Sequence, residues 1–260
     1  MSTQEQVDFS ILNDDKYVYG MDWTKNNQFN KILGNYRKYQ FNLIKDYIGS
    51  NILEIGSGDR GFTNEVINNV DSIERLVSIE PSETLFDLHK NNFDFPDIVQ
   101  FYQKDLFDLK TDTFGKFDTV IFIHVLEHIK KDRKALTKAS ELISQRGFVL
   151  IEVPALPFLF SVHDKMLGHY RRYNKKSLLS SIPSDIYNII DIWYQDPIGV
   201  IGSLIYFKIL QVRINSDLGG NFIESKGSFY DSYLIPLQGK IEKYIRFPFG
   251  LSLTAILQKK

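Results

Sequence analysis

The chain contains no cysteine. That excludes disulfides, thiolate metal sites and cysteine nucleophiles. An excess of charge of one sign is also missing: 31 Lys and Arg stand against 32 Asp and Glu, a formal net charge of -1. The molecule as a whole is therefore not built to attract nucleic acid. No apolar run approaches the roughly 18–20 residues of a membrane span. The opening stretch MSTQEQVDFSILNDD has neither a basic nor an apolar segment, so it does not read as a signal peptide. The expected setting is cytoplasmic. Internal repeats and low-complexity tracts are absent too.

What is present suits a globular enzyme. A chain of 260 residues, 43% hydrophobic and 24% charged, supports one substantial core with an elaboration. Residues 1–50 read as a polar lead-in plus a helix, with Ile32, Leu33, Tyr36, Tyr39, Leu43, Ile44 and Tyr47 at helical spacing. Strands are expected at Asn51–Ile55, Leu76–Ile79, Ile98–Tyr102, Phe117–Ile123, Phe148–Val153, Tyr187–Trp193 and Ser252–Leu257. Helices are expected between them at Thr63–Val70, Glu83–Asn91, Lys131–Ile143 and Ser177–Ser181. This alternation predicts a doubly wound, largely parallel α/β sheet. The domain reading is a core of 51–193 and 252–260, interrupted by a helical insertion at 194–251 with helices near Ile198–Val212 and Ser232–Ile245.

Chemistry concentrates first at Leu53-Glu54-Ile55-Gly56-Ser57-Gly58-Asp59-Arg60-Gly61, between a strand and a helix. Glycines allow a sharp turn and close approach of a ligand, and exposed helix-start amides favour an anionic group. The spacing alone also fits a dinucleotide fingerprint. Glu80, at the end of the next strand, suits ribose hydroxyls and does not separate NAD from S-adenosylmethionine. Three other features do. Glu54 is placed to orient an amino group. Asp105-Leu106 follows the third strand, where an acid can accept from an adenine amine. The fourth strand runs straight into His124-Val125-Leu126-Glu127-His128-Ile129.

LEIGSGDRG, SIEPS, KDLFD and FDTVIFIHVLEHI resemble the successive motifs of class I S-adenosylmethionine-dependent methyltransferases, specifically the type 11/12 group with its quinone-pathway and sugar methyltransferases. The likeness covers about residues 50–155. It implies a Rossmann-like seven-stranded sheet of order 3-2-1-4-5-7-6, strand 7 antiparallel, with S-adenosyl-L-methionine as cofactor and S-adenosyl-L-homocysteine as product. It also implies that Glu54, Gly56, Ser57 and Gly58 line the methionine part, that Glu80 holds the ribose and that Pro81, Asp105 and Leu106 flank the adenine. His124 is expected to face the sulfonium. In quinone-pathway relatives a second Glu precedes LEH and the acid pair has been linked to a divalent metal; here that position is His124, and no metal is expected.

The second concentration is His163-Asp164-Lys165-Met166-Leu167-Gly168-His169-Tyr170-Arg171-Arg172-Tyr173. Its density of His, Arg and Tyr is hard to explain as core, and it reads as an active-site lid and acceptor clamp. It resembles a subset of the family associated with polysaccharide and glycolipid assembly. For a sugar hydroxyl the enzyme must remove a proton, and His is the natural base near neutral pH. The candidates are His169, His163 and His124, in that order, with Asp164 orienting an imidazole. Asp164, Tyr170, Arg171, Arg172 and Tyr173 are the expected acceptor contacts. The expected acceptor is a small molecule or glycan, most readily a sugar hydroxyl or amine. A lipid or quinone O-methyltransferase and a catalytically silent scaffold are the rivals. The insertion reads as a cap, a homodimer contact or a basic face touching anionic membrane through Lys208, Arg213, Lys240, Lys243 and Arg246.

Overall fold

The computed structural model describes residues 34–205 and 229–260. Its centre is one seven-stranded sheet: β1 (Asn51–Ile55), β2 (Arg75–Ile79), β3 (Val99–Tyr102), β4 (Phe117–Ile123), β5 (Ile143–Pro154), β6 (Tyr187–Gln195) and β7 (Ser252–Lys259). The order is β3-β2-β1-β4-β5-β7-β6, as expected. β7 runs antiparallel to both β5 and β6, while β1 to β5 are mutually parallel.

The apolar run at 120–123 of β4 has a direct cause. Val120 and Phe122 pack on one face of the sheet with Leu136 and Ala139 of α5 (Asp132–Leu142). Ile121 packs on the other with Phe41 and Ile44 of α1 (Gly34–Ile44) and with Phe62 and Val66 of α2 (Gly61–Asn69). A strand buried on both faces has no polar side to show. The same alternation sends Leu53 and Ile55 one way and Ile52 and Glu54 the other, so Glu54 faces α2 and Glu152 faces α1.

Several boundaries differ from expectation. The helix expected through Ile143 stops at Leu142, because Ile143 already pairs with Phe117 and begins a longer β5. The helix expected to Asn91 ends at Leu88. β7 continues to Lys259, zipped along β6 and β5. The loop expected at 155–173 contains a short helix, α6 (Val162–Met166), opened by a capping box between Ser161 and Asp164. α7 spans Lys175–Ser181. Between β6 and β7 lie α8 (Pro197–Ser203) and α9 (Ile235–Glu242), the latter preceded by a π-helical turn at Tyr230–Leu234. Ile32 and Leu33 of the first expected helix lie outside the described residues. So do the part of the Ile198–Val212 helix beyond Ile205, Lys208 and Arg213.

Candidate active site

The Gly-rich turn folds over the end of β2. The amides of Gly56 and Ser57 both donate to the Ile79 carbonyl, at 2.8 and 3.0 Å. Gly56 has φ +73, and a Cβ there would meet Val125 Cγ2 at 2.7 Å, so two constraints require glycine. Gly58, at φ +50, has nothing within 4 Å of where a Cβ would lie, so the space beside it is open. The amide of Gly58 donates to Glu80 Oε2 at 2.9 Å, and that of Ser82 to Glu80 Oε1 at 3.0 Å. These two bonds hold the Glu80 carboxylate beside the loop, at the end of β2.

Glu54 is buried beneath this loop and accepts from the hydroxyls of Thr63 and Ser78. Burial pushes its carboxyl up to about 7, against the opposing pull of those two hydroxyls. Arg37 of α1 pairs with Asp59, and Arg60 lies over the Phe101 ring at 4.0 Å, which fixes the rest of the turn. Asp105 caps the turn Leu106–Asp108 by accepting from the Phe107 amide; Leu106 is buried, and Pro81 is half-buried next to Glu80.

Past β4 the chemistry changes from amides to ionisable side chains. His124 adopts φ +54, sparsely populated for a residue with a side chain. Its Nδ1 lies 3.3 Å from Glu127 Oε1 and its Nε2 3.1 Å from Glu152 Oε1. Burial alone would discharge the ring, but Glu127 and Glu152 outweigh it and raise His124 to about 10. Gln40 of α1 donates to the same Glu152 oxygen at 2.8 Å. Burial likewise opposes the charge on Glu127, and the surrounding imidazoles overcome it, holding the carboxyl below its usual range.

The segment after β5 is fastened onto this cluster. The Tyr170 amide donates to the Glu127 carbonyl at 2.8 Å. His169 Nδ1 lies 3.0 Å from Asp164 Oδ1, and its Nε2 points toward Glu127 Oε1 at 4.0 Å. The His169 and His128 rings meet edge to face with centroids 4.7 Å apart. Arg172 Nε donates to the same Asp164 oxygen at 2.7 Å. Burial works against the charge on Asp164, yet His169 and Arg172 hold the carboxyl far below the carboxylate range. Burial pushes His128 and His163 down to about 4, so both are neutral at physiological pH. Ligand atoms of Glu127, His128 and His169 all lie within 4.8 Å of one another, which would also suit a metal ion.

A model of the methyltransferase-domain family matches residues 30–188, more than half of the chain. The chain belongs to that family. The solved structures agree in fold. A SAM-dependent methyltransferase from Archaeoglobus fulgidus gives a TM-score of 0.58 at 15% identity, over 92% of this chain and 100% of that one. A putative S-adenosylmethionine-dependent methyltransferase from Listeria monocytogenes gives 0.54 at 12% identity, over 87% and 99%. The N-methyltransferase NodS from Bradyrhizobium japonicum WM9, in complex with S-adenosyl-L-homocysteine, gives 0.52 at 12% identity, over 96% and 94%. No curated protein sequence matches. The protein is an S-adenosylmethionine-dependent class I methyltransferase.

Within this methyltransferase three expected acceptor contacts are corrected. Asp164 is 0%, Tyr173 1% and Arg172 8% exposed, and each is engaged internally. The Tyr173 hydroxyl donates to Asp132 Oδ2 at 2.9 Å, and the Ala155 carbonyl adds a second partner for Arg172 at 3.4 Å. They build the segment rather than touch a ligand. Arg171 is also committed, with Nη1 2.7 Å from Asp132 Oδ2 and Nη2 2.9 Å from the Lys130 carbonyl. Tyr170 is exposed. His124, expected as a base, lies between two carboxylates, Glu127 and Glu152, that favour its charged form. Sequence reasoning missed Asp132, Gln40 and Glu152. Only Glu152 had a visible signal: a lone acid inside the apolar run Phe148–Val153.

Proposed function

We propose that the methyltransferase acts on a hydroxyl (or amine) of a sugar or glycan acceptor, in the making of surface polysaccharide, glycolipid or sugar nucleotide, with His169 as general base. The observation that carries this reading is the Asp164–His169 pair. Asp164 accepts from Nδ1, which fixes the tautomer and leaves Nε2 as the lone-pair nitrogen. The cofactor supplies an activated methyl, so the protein's remaining tasks are alignment, exclusion of water and proton removal.

In this reading Glu54 and the loop glycines take the methionine end, Ser57 borders it, Glu80 takes the ribose, and Pro81, Asp105 and Leu106 the adenine. Those residues fit such a ligand: open space beside Gly58, a buried acid for an ammonium, and the Glu80 carboxylate fixed at the loop by the Gly58 amide. His169 Nε2 takes the acceptor proton, and Glu127 then stabilises the resulting imidazolium. Tyr170, which is exposed, remains as a contact for the acceptor's outer part. His163 is a weaker base candidate, since burial lowers its basicity.

The test is a panel of nucleotide sugars and glycan ends scored by S-adenosyl-L-homocysteine release, repeated with His169→Gln. The expected result is turnover on a sugar acceptor and a loss in kcat of roughly 10²–10⁴-fold in the variant, with S-adenosylmethionine affinity retained. Turnover within threefold of wild type would remove His169 as base. Turnover confined to quinone or lipid phenols would transfer the assignment to that rival class.

A further inference from the structure

The region between β6 and β7 carries a helix that is inside out. Three polar side chains of the π-helical turn and α9, Asp231, Gln238 and Glu242, point into the protein. Asp231 accepts from the amides of Asn35 and Tyr36 at 3.1 and 2.8 Å, capping α1. Gln238 accepts from the Ile198 amide and donates to Asp196. Glu242 accepts from the Tyr39 hydroxyl and from the Asp196 amide. All three are buried.

The opposite face is apolar and in the open. Tyr233 is 67%, Leu237 54%, Ile241 39% and Tyr244 88% exposed. Their spacing of three or four residues places them on one stripe. Phe229 extends it, its ring 5.3 Å from that of Tyr233. A helix face normally turns such residues inward, and a contiguous apolar surface on a soluble protein marks a contact site.

The charges choose the partner. Lys240 and Lys243 are exposed beside the stripe. Arg246 follows, paired with Asp191 at 3.1 Å. From 229 to 260 the acids are Asp231 and Glu242, and both are buried. A second copy docking on this face would bring lysines against lysines with no exposed carboxylate of the segment to meet them. Anionic headgroups meet them directly, and the tyrosines and leucine suit the headgroup boundary.

We infer that this stripe seats the methyltransferase on an anionic lipid surface. The inference does not depend on the identity of the acceptor. Its test is flotation of the full chain with phosphatidylglycerol-rich vesicles and with pure phosphatidylcholine vesicles. Binding to the anionic vesicles is expected, falling roughly fivefold for each of Lys240→Gln and Lys243→Gln. Binding should vanish in Leu237→Glu/Tyr244→Glu. Both side chains are exposed, so an unchanged melting temperature and unchanged S-adenosylmethionine affinity keep the comparison sound. Absence of flotation with anionic vesicles overturns the inference. So does flotation that survives the double substitution, or a dimer in sedimentation that the same substitution splits.

Discussion

The two ends of the active edge are made of different material. The end proposed for the cofactor, around Gly56, Gly58 and Glu80, is backbone: amides, left-handed glycines and one buried acid bonded by hydroxyls. The end proposed for the acceptor, around His124, Glu127, Asp164 and His169, is a chain of ionic contacts. On that proposal a rigid backbone cradle serves a ligand that never changes. A proton moves at the other end, where neighbouring titratable groups can rebalance charge.

The sharpest way to break the comparison is at Asp164. Replacing it with Ala leaves Arg172 buried and unpaired. Loss of roughly 3–5 kcal/mol is expected by urea unfolding. A loss under about 1 kcal/mol would mean that the acceptor end is not held together by charge. Next is Gly56→Ala, which places a Cβ against Val125 at an unfavourable φ. S-adenosylmethionine binding by calorimetry should weaken by at least about tenfold, with a stability loss of roughly 1–3 kcal/mol.

A smaller effect separates the two ends by pH, through Glu54 and His124. Glu54 is raised to about 7, so at pH 6 it is mostly protonated. An ammonium-bearing ligand prefers the carboxylate. Affinity for S-adenosylmethionine should therefore rise between pH 5.5 and 7.5, and binding should release protons; Glu54→Gln should flatten the profile. His124 has the opposite sign. Its folded value, about 10, lies above the unfolded one, so its stabilisation is fully present below about pH 6.5 and is lost as pH rises through 10. Stability measured from pH 6 to 10 should fall more steeply in wild type than in His124→Gln. The smallest expected change follows metal removal: EDTA dialysis should leave turnover within about twofold, and restoration by added Mn²⁺ alone would reassign Glu127, His128 and His169 as metal ligands.

Legibility in the sequence follows the same divide. The geometry at the end proposed for the cofactor was readable because its parts are local: strand, glycines and the next strand's acid all fall between Asn51 and Glu80. The sheet order came from the likeness those motifs carry, and β4 from its lack of polar alternation. The acceptor end was readable in composition but not in role. His, Asp and Arg in His163–Tyr173 announced chemistry, yet Arg172 and Tyr173 turned out to be buried against Asp164 and Asp132, partners that spacing cannot reveal. Gln40 was invisible, since its contact with Glu152 spans 112 positions. The β5 start was missed because a strand can begin immediately after a helix when a partner strand is waiting.

One element touches everything. Over eleven residues, α1 reaches the cofactor loop through Arg37 and Asp59 and the His124 cluster through Gln40 and Glu152. Through Tyr39, Glu242 and the Asp231 cap it reaches the outward-facing helix. It is a crossbeam shared by three rooms, and each room hangs on a different side chain of it. A single misplaced turn of α1 would loosen all three at once.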